Sequence, residues 1–189
     1  AIIGKGKGAA IGAGVGAAGG YVWSRYMENK RQQMQQATAG TGVDVTQTDD
    51  NRLKLNIPSD ISFDTNRSDI KPNMRPILDS FADGLRDQPQ MEVYVVGHTD
   101  STGNDAINDP LSVDRANSVR RYLVQRGVSD ASIQTEGRGS HDPIASNATV
   151  EGRAANRRVE IFLAERAGVA DGNYGSTEPG NTPIGTPAR

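Results

Sequence analysis

The chain has 189 residues, enough for one ordinary domain with additional segments, and a formal net charge of −2. This charge gives no electrostatic basis for binding nucleic acid. The sequence contains no cysteine and only two histidines, which excludes disulfides within it, thiolate zinc sites and a histidine-rich metal centre. It begins at Ala1 rather than Met, from which we expect a processed or truncated product.

Five glycines recur at every fourth position near the N-terminus, at residues 4, 8, 12, 16 and 20. On a helix they form one ridge, where a second backbone can approach closely. As a helix, the uncharged stretch 8–23 is about 24 Å long, short of the roughly 30 Å core of a bilayer. We predict a membrane-associated glycine-zipper helix over residues 1–27 that forms homo-oligomers. The alternative is a flexible glycine-rich leader, since each glycine costs a helix about 1 kcal/mol relative to alanine.

The next segments change from polar to alternating. Residues 28–40 are polar with no apolar face, which predicts a solvated spacer, helical or loose, and not a core element. From residue 43 apolar and polar residues alternate on both sides of a turn at 48–51, which predicts a β-hairpin. Pro72 begins a predicted helix whose apolar residues keep helical spacing to Leu85.

The rest of the apolar pattern predicts further strands and helices in alternation. Residues 91–96 are apolar on both faces apart from one glutamate, as in a central strand. A helix is expected over 109–126, begun by an Asp-Pro pair and ended before a glycine. A weaker strand at 132–136, a short helix near 151–156 and a last strand over 159–163 complete the order β-hairpin, α, β, α, β, α, β.

This order predicts an α+β fold, a two-layer sandwich with helices on one face of a mixed β-sheet. The sandwich is expected to occupy residues 41–165. Residues 166–189 have almost no large apolar side chains, and we predict that they are disordered.

Arg115 is the residue with the most informative environment. It projects within the apolar stripe of the helix predicted over 109–126, where a guanidinium is costly unless it is paired or faces a ligand. Asp100 follows the strand at 91–96, so the two groups can share one pocket. From spacing alone they could instead form a structural salt bridge, or Asp100 could cap a turn through its side chain.

Several motifs, in this order, resemble the OmpA-like peptidoglycan-binding domain over about residues 45–164: Phe63-Asp64-Thr65-Asn66, Thr99-Asp100, Leu111-Ser112 with Arg115-Ala116, and Asn156-Arg157-Arg158-Val159. In that family the matching aspartate and arginine bind the zwitterionic centre of diaminopimelate in peptidoglycan. The resemblance implies that Asp100 takes the ligand's ammonium and Arg115 its carboxylate, as a bidentate fork.

The resemblance also implies a wider set of ligand-binding residues: Thr65, Asn66, Thr102, Asn108, Leu111 and Arg157. Arg158 is expected to be a surface or sheet-edge charge, and His98 to be packed against the sheet. A glycine zipper ahead of this domain is similar to the layout of Gram-negative outer-membrane lipoproteins, which carry a lipidated N-terminal cysteine. No cysteine is present, so the lipid site lies upstream of the given sequence or the zipper anchors by itself.

The function implied is non-enzymatic tethering of the outer membrane to peptidoglycan, with the binding domain in the periplasm. Catalysis is not expected, because no serine has the glycine pattern of a nucleophile elbow and Arg115 would keep Asp100 ionised, unfit as a general acid. A motor stator would need an ionisable residue in its membrane helix, and 8–23 has none. The open alternative is a self-assembling membrane protein whose zipper is the main activity. No cofactor, metal or nucleic acid is expected.

Overall fold

One mixed sheet organises residues 23–166, the part of the chain that this computed structural model describes. Its strands are β1 (Asp44–Gln47), β2 (Leu53–Pro58), β3 (Met91–His98), β4 (Ile133–Gly137) and β5 (Arg158–Glu165). The α-helices are α1 (Arg25–Thr38), α2 (Ser59–Ser62), α3 (Arg75–Ala82), α4 (Asp105–Gln125) and α5 (Val150–Asn156). Residues 1–22 of the predicted zipper and 167–189 of the predicted tail lie outside the described residues.

The strands lie in the order β1-β2-β5-β3-β4, antiparallel except for the parallel pair β3–β4. Side chains alternate across the sheet. Leu55 of β2, Ile161 of β5 and Val95 of β3 are therefore register neighbours, all fully buried against the helical layer. The predicted α+β sandwich on a mixed sheet is confirmed. In the range 23–166, no helix has the length and hydropathy to span a bilayer.

The spacer predicted over residues 28–40 is wrong, because α1 packs into the core. Met27 and Met34 are buried against the rest of the domain. Between them, the buried Lys30 ammonium donates to the carbonyls of Ser80 and Asp83, 2.7 Å from each, at the end of α3. Burial lowers the pKa of Lys30 to about 8. The folded body thus begins before residue 41.

The chain enters this body at the end of the sheet where β2 begins and β5 ends. The Trp23 indole Nε1 donates to the Asn51 carbonyl at 3.1 Å, in the turn between β1 and β2. Ser24 caps α1 by accepting from the Met27 N–H, and its hydroxyl also bonds to Glu165 at the end of β5. The start of α1 is therefore fastened to this end of the sheet.

Helix α4 begins four residues earlier than the Asp-Pro pair at 109–110 predicts. Asn104 is its cap, since the side-chain oxygen accepts from the Ile107 N–H at 3.1 Å. Pro110 lies inside the helix and removes one backbone donor, opposite the carbonyl of Ala106. Ala106 and Pro110 are both exposed, so water can donate a hydrogen bond to that carbonyl. The end of the helix near residue 126 is as predicted.

The sheet face away from the main core carries a buried charged cluster. Arg158 is 2% exposed and donates to Glu160 at 3.2 Å and to the Asp142 carbonyl at 3.1 Å. The expectation of a surface charge at Arg158 is wrong, because the loop between β4 and α5 packs against it and accepts a hydrogen bond from it. His98, packed as predicted, lies 3.2 Å from Glu160 through Nε2, and Glu160 also pairs with Lys54 at 2.8 Å.

Candidate ligand-binding site

Three charged residues meet where β2 and β3 end and β5 begins. Asp60 follows β2 in α2, Asp100 follows β3 by two residues, and Arg157 directly precedes β5. Because β5 is antiparallel to both β2 and β3, these three positions lie at the same end of the sheet. This is the end opposite the entry point at Trp23.

The loop after β3 holds Asp100 in a defined position. Its Oδ1 accepts from the Thr102 backbone N–H at 2.8 Å, and its Oδ2 accepts from Arg157 Nη1 at 2.6 Å. Burial alone would raise the pKa of Asp100, but the bonds from Arg157 and Thr102 outweigh it and keep that pKa below its ordinary value. The turn-cap alternative for Asp100 is therefore present, together with an ion pair to Arg157.

Arg115 projects from α4 and is only 4% exposed. Its Nε donates to the Arg67 carbonyl at 3.0 Å and its Nη2 to the Asp64 carbonyl at 3.3 Å, while the guanidinium lies 5.1 Å from the centre of the Phe63 ring. Burial and the positive charge of Arg157 lower the pKa of Arg115. No salt bridge joins Arg115 to Asp100 in the described structure.

Arg115 retains donors for another partner. A guanidinium has five N–H groups, and only the Nε and Nη2 atoms of Arg115 donate to atoms within residues 23–166. Nη1 has no such acceptor. A buried cation fixed by two carbonyls, with donors to spare and no carboxylate of its own, is suited to an anionic ligand group.

The other predicted residues divide into two groups. Thr65, Asn66 and Thr102 are exposed loop residues around the charged centre, and Leu111 is half-buried on α4. Asn108 is buried, and its amide donates to the Thr102 carbonyl at 3.0 Å and the Asp100 carbonyl at 3.4 Å. Asn108 thus holds the loop, and a ligand contact by any of these five stays a prediction.

Family models match two parts of the chain. The OmpA family model covers residues 62–157, the range that contains Asp100, Arg115 and Arg157, and a glycine zipper model covers residues 1–31. The chain belongs to the OmpA family. The resemblance drawn from its motifs is confirmed.

Named relatives of this OmpA-family chain include "Probable lipoprotein YiaD" of Escherichia coli (strain K12), 44% identical over 74% of this chain and 63% of that protein. "Peptidoglycan-binding protein ArfA" of Mycobacterium tuberculosis (strain ATCC 25618 / H37Rv) is 50% identical over 54% of this chain and 32% of that protein. The chain thus spans less than two thirds of the length of either relative.

A solved structure described as the cell wall anchor of the T6SS from Pseudomonas aeruginosa is similar to the OmpA-family domain. It is 29% identical with a TM-score of 0.63, over 71% of this chain and 96% of that one. The shared fold therefore extends over nearly all of that structure.

Asp60 is a site residue that the sequence analysis missed. Its Oδ1 lies 3.6 Å from Arg157 Nε, and the Ser59 N–H donates to the Arg157 carbonyl at 2.9 Å. The available signal is the position of Asp60 two residues after the end of β2. Its place in the site depends on the pairing of β2 with β5, which are about a hundred residues apart in the chain.

One group in residues 23–166 has the side chains of a metal site, namely Asp105, Asp109 and His141, which are all exposed. His141 Nε2 is 3.2 Å from Asp109 and 3.5 Å from Asp105, so these groups already pair with one another. Nothing else in the described residues points to an ion there, and we assign none.

Proposed function

We propose that this chain tethers the outer membrane to peptidoglycan without catalysis, by binding the diaminopimelate of the stem peptide. The observation that carries the proposal is the buried Arg115 with free donors at the same end of the sheet as the ion pair of Asp100 and Arg157. Two guanidiniums and a carboxylate there offer complementary charges for a ligand that carries both an ammonium and a carboxylate.

Each charge of the ligand has a partner of suitable chemistry. The free amino-acid centre of diaminopimelate would place its ammonium at Asp100 and its carboxylate at Arg115 Nη1. The aromatic ring of Phe63 and the carbonyls of Asp64 and Arg67 fix the guanidinium plane, so that little side-chain entropy is lost on binding. The names of the similar proteins, a peptidoglycan-binding protein and a cell wall anchor, support this choice of ligand.

The arrangement of the domain suits a tether. The site and the entry point at Trp23 lie at opposite ends of β5, whose eight residues span about 23 Å from first to last at roughly 3.3 Å per step. With the N-terminal segment at the membrane, the site would face the wall. One weak site suffices, because the polymer offers many copies and many tethers act together.

The test is co-sedimentation of the full chain with purified diaminopimelate-type peptidoglycan. Removing one member of a desolvated charge pair costs about 2–5 kcal/mol, and about 3 kcal/mol is more than a hundredfold in affinity. Arg115→Ala should therefore stay in the supernatant while the wild type pellets. Arg121→Ala is the matched control, because Arg121 is exposed on the same helix and, within residues 23–166, its side chain donates only to the Ser118 hydroxyl.

Two results would contradict the proposal. If the wild type does not pellet, the OmpA-family fold is used here for another ligand. If Arg115→Ala pellets as well as Arg121→Ala, the wall is bound elsewhere on the chain. Thermal unfolding of each variant ensures that loss of binding is not loss of the fold.

Self-association through the glycine zipper is a second proposed activity, favoured by the match of residues 1–31 to the zipper model. Replacing Gly12 and Gly16 with leucine should abolish oligomers detected by cross-linking in membranes and leave wall binding by each monomer intact. Oligomers that persist in this variant would contradict the zipper role.

A further inference from the structure

Arg157 lies between two carboxylates, one enclosed and one open. Its Nη1 is 2.6 Å from Asp100, whose side chain is 10% exposed, and its Nε is 3.6 Å from Asp60, whose side chain is 64% exposed. The first distance is a short charge-assisted hydrogen bond, and the second is beyond hydrogen-bonding range. In the unliganded protein Arg157 thus hydrogen-bonds the enclosed carboxylate and makes a longer ion pair with the open one.

We propose that Asp60 is a positioning residue that receives Arg157 when the ligand's ammonium takes the place of Arg157 at Asp100. This inference rests on the proposed function, because it concerns how the same site accepts diaminopimelate. Asp60 does not touch the ligand. It acts through Arg157, by giving that guanidinium a partner in the bound state.

The charges of the site favour such an exchange. A ligand ammonium beside Asp100 would otherwise share one carboxylate with the Arg157 guanidinium, and two cations held against the same carboxylate repel each other. After the exchange every charge has an opposite partner. The ammonium pairs with Asp100, Arg157 with Asp60, and the ligand carboxylate with Arg115.

The backbone permits the movement. The Arg157 carbonyl accepts from the Ser59 N–H at 2.9 Å, and the Arg157 N–H donates to the Arg153 carbonyl at 3.0 Å. These two bonds fix the main chain at Arg157. Only the side chain has to turn. Closing the 3.6 Å gap to a hydrogen bond needs a shift of less than about 1 Å, which the exposed Asp60 carboxylate can also provide.

The test is a double-mutant cycle on the full chain, using the soluble tripeptide L-Ala-γ-D-Glu-diaminopimelate as the probe in NMR titrations. An exposed ion pair is weak, so Asp60→Asn should raise the Kd about three- to fivefold. In an Arg157→Gln background the same substitution should leave the Kd unchanged, because Asp60 then has no guanidinium to receive. Asp60→Glu, which keeps a carboxylate, should restore binding to about the wild-type level.

A control variant separates this effect from a change of net charge. Asp130→Asn also removes an exposed carboxylate paired with an arginine, at the opposite end of the sheet, and should bind as the wild type does. An unchanged Kd in Asp60→Asn overturns the exchange, and so does an equal loss in the wild-type and Arg157→Gln backgrounds, which would indicate a general field effect.

The same titrations also test the proposed function by itself. If the wild type and Arg115→Ala bind the tripeptide equally, or neither binds it, wall binding through Arg115 fails and the exchange falls with it. If Arg115→Ala loses binding while Asp60→Asn does not, the wall-binding site stands and only the exchange is wrong.

Discussion

The carboxylate of Asp100 and the guanidinium of Arg157 form an ion pair with a 2.6 Å contact, between residues that are 57 positions apart in the chain. The pair joins the loop after β3 to the start of β5. Its consequence is that Asp100 already has a cationic partner before any ligand arrives. In the proposed exchange, a ligand ammonium displaces this hydrogen-bonded guanidinium, which would favour ligands whose carboxylate can be bound at the same time.

We expect Asn108→Ala to weaken binding by loosening the loop that carries Asp100. The buried Asn108 amide donates to the carbonyls of Thr102 and Asp100, and losing a buried hydrogen bond costs about 1–2 kcal/mol. A loss of about 1.4 kcal/mol is tenfold in affinity. Co-sedimentation measures the binding, and hydrogen exchange of the Thr102 N–H, which bonds to Asp100, measures the loop.

The hydrogen-exchange rate of the Thr102 N–H distinguishes a positioning role of Asn108 from direct contact between Asn108 and the ligand. Without ligand, the Thr102 N–H should exchange faster in Asn108→Ala than in the wild type. Weakened binding with an unchanged exchange rate would mean that Asn108 touches the ligand, as the family resemblance implies.

Met34→Ala tests whether α1 belongs to the domain. Met34 is fully buried, and truncating a buried methionine costs about 2–5 kcal/mol. Urea unfolding of the full chain should show this loss in one transition with the rest of the domain. Gln35→Ala, at the exposed neighbouring position, should leave the free energy of unfolding nearly unchanged. Equal stability of the two variants would indicate that α1 does not stabilise the domain, as expected of the spacer that the sequence predicts.

The sequence predicts those elements whose own residues carry a clear apolar pattern. Alternating apolar residues located β2 and β5, and a charged residue within an apolar stripe identified Arg115. Helix α1 escaped this reasoning because its buried stripe consists of only four residues, one of them a lysine that buries its stem and caps another helix. A polar helix with so narrow a stripe looks the same as a solvated spacer.

Features that depend on how separate segments pack together could not be predicted from the sequence. Arg158 is buried because the carbonyl of Asp142 and the carboxylate of Glu160 receive its guanidinium under a covering loop. Asp60 joins the site only through the pairing of β2 with β5. The sequence predicts too late a start for α4, because Pro110 is typical of the first turn of a helix. The helix begins earlier, after Asn104, whose side chain caps it.

Gly97→Ala should destabilise the domain and displace the site together. A Cβ at Gly97 would lie 2.2 Å from the Ser112 carbonyl oxygen, so the strand β3 and the helix α4 can approach this closely only without a side chain there. Overpacking of this kind costs about 1–3 kcal/mol. Because α4 also carries Arg115, affinity for peptidoglycan should fall along with the Tm. An unchanged Tm would show that the helix can move away without cost.

Glu160→Gln should change how stability depends on pH. Burial would raise the pKa of Glu160, but bonds from His98 and Lys54 and the charge of Arg158 hold it well below the ordinary 4.5. A carboxyl whose folded-state pKa is depressed contributes stability above its unfolded pKa and loses it as pH falls. At pH 7 the variant should lose about 3–5 kcal/mol, because Arg158 and Lys54 lose their carboxylate.

The difference should shrink on acidification. Below about pH 4.5 the unfolded wild type takes up a proton that folded Glu160 resists, so wild-type stability falls while the variant lacks this slope. Buried His98, whose pKa is lowered by burial, adds a decline below about pH 6.5 in both proteins. Urea unfolding at pH 7, 5 and 3 measures the curves, with Asp130→Asn as a surface control that removes an exposed ion pair and should change stability far less than Glu160→Gln. Parallel curves for the wild type and Glu160→Gln would contradict an ionised, buried Glu160.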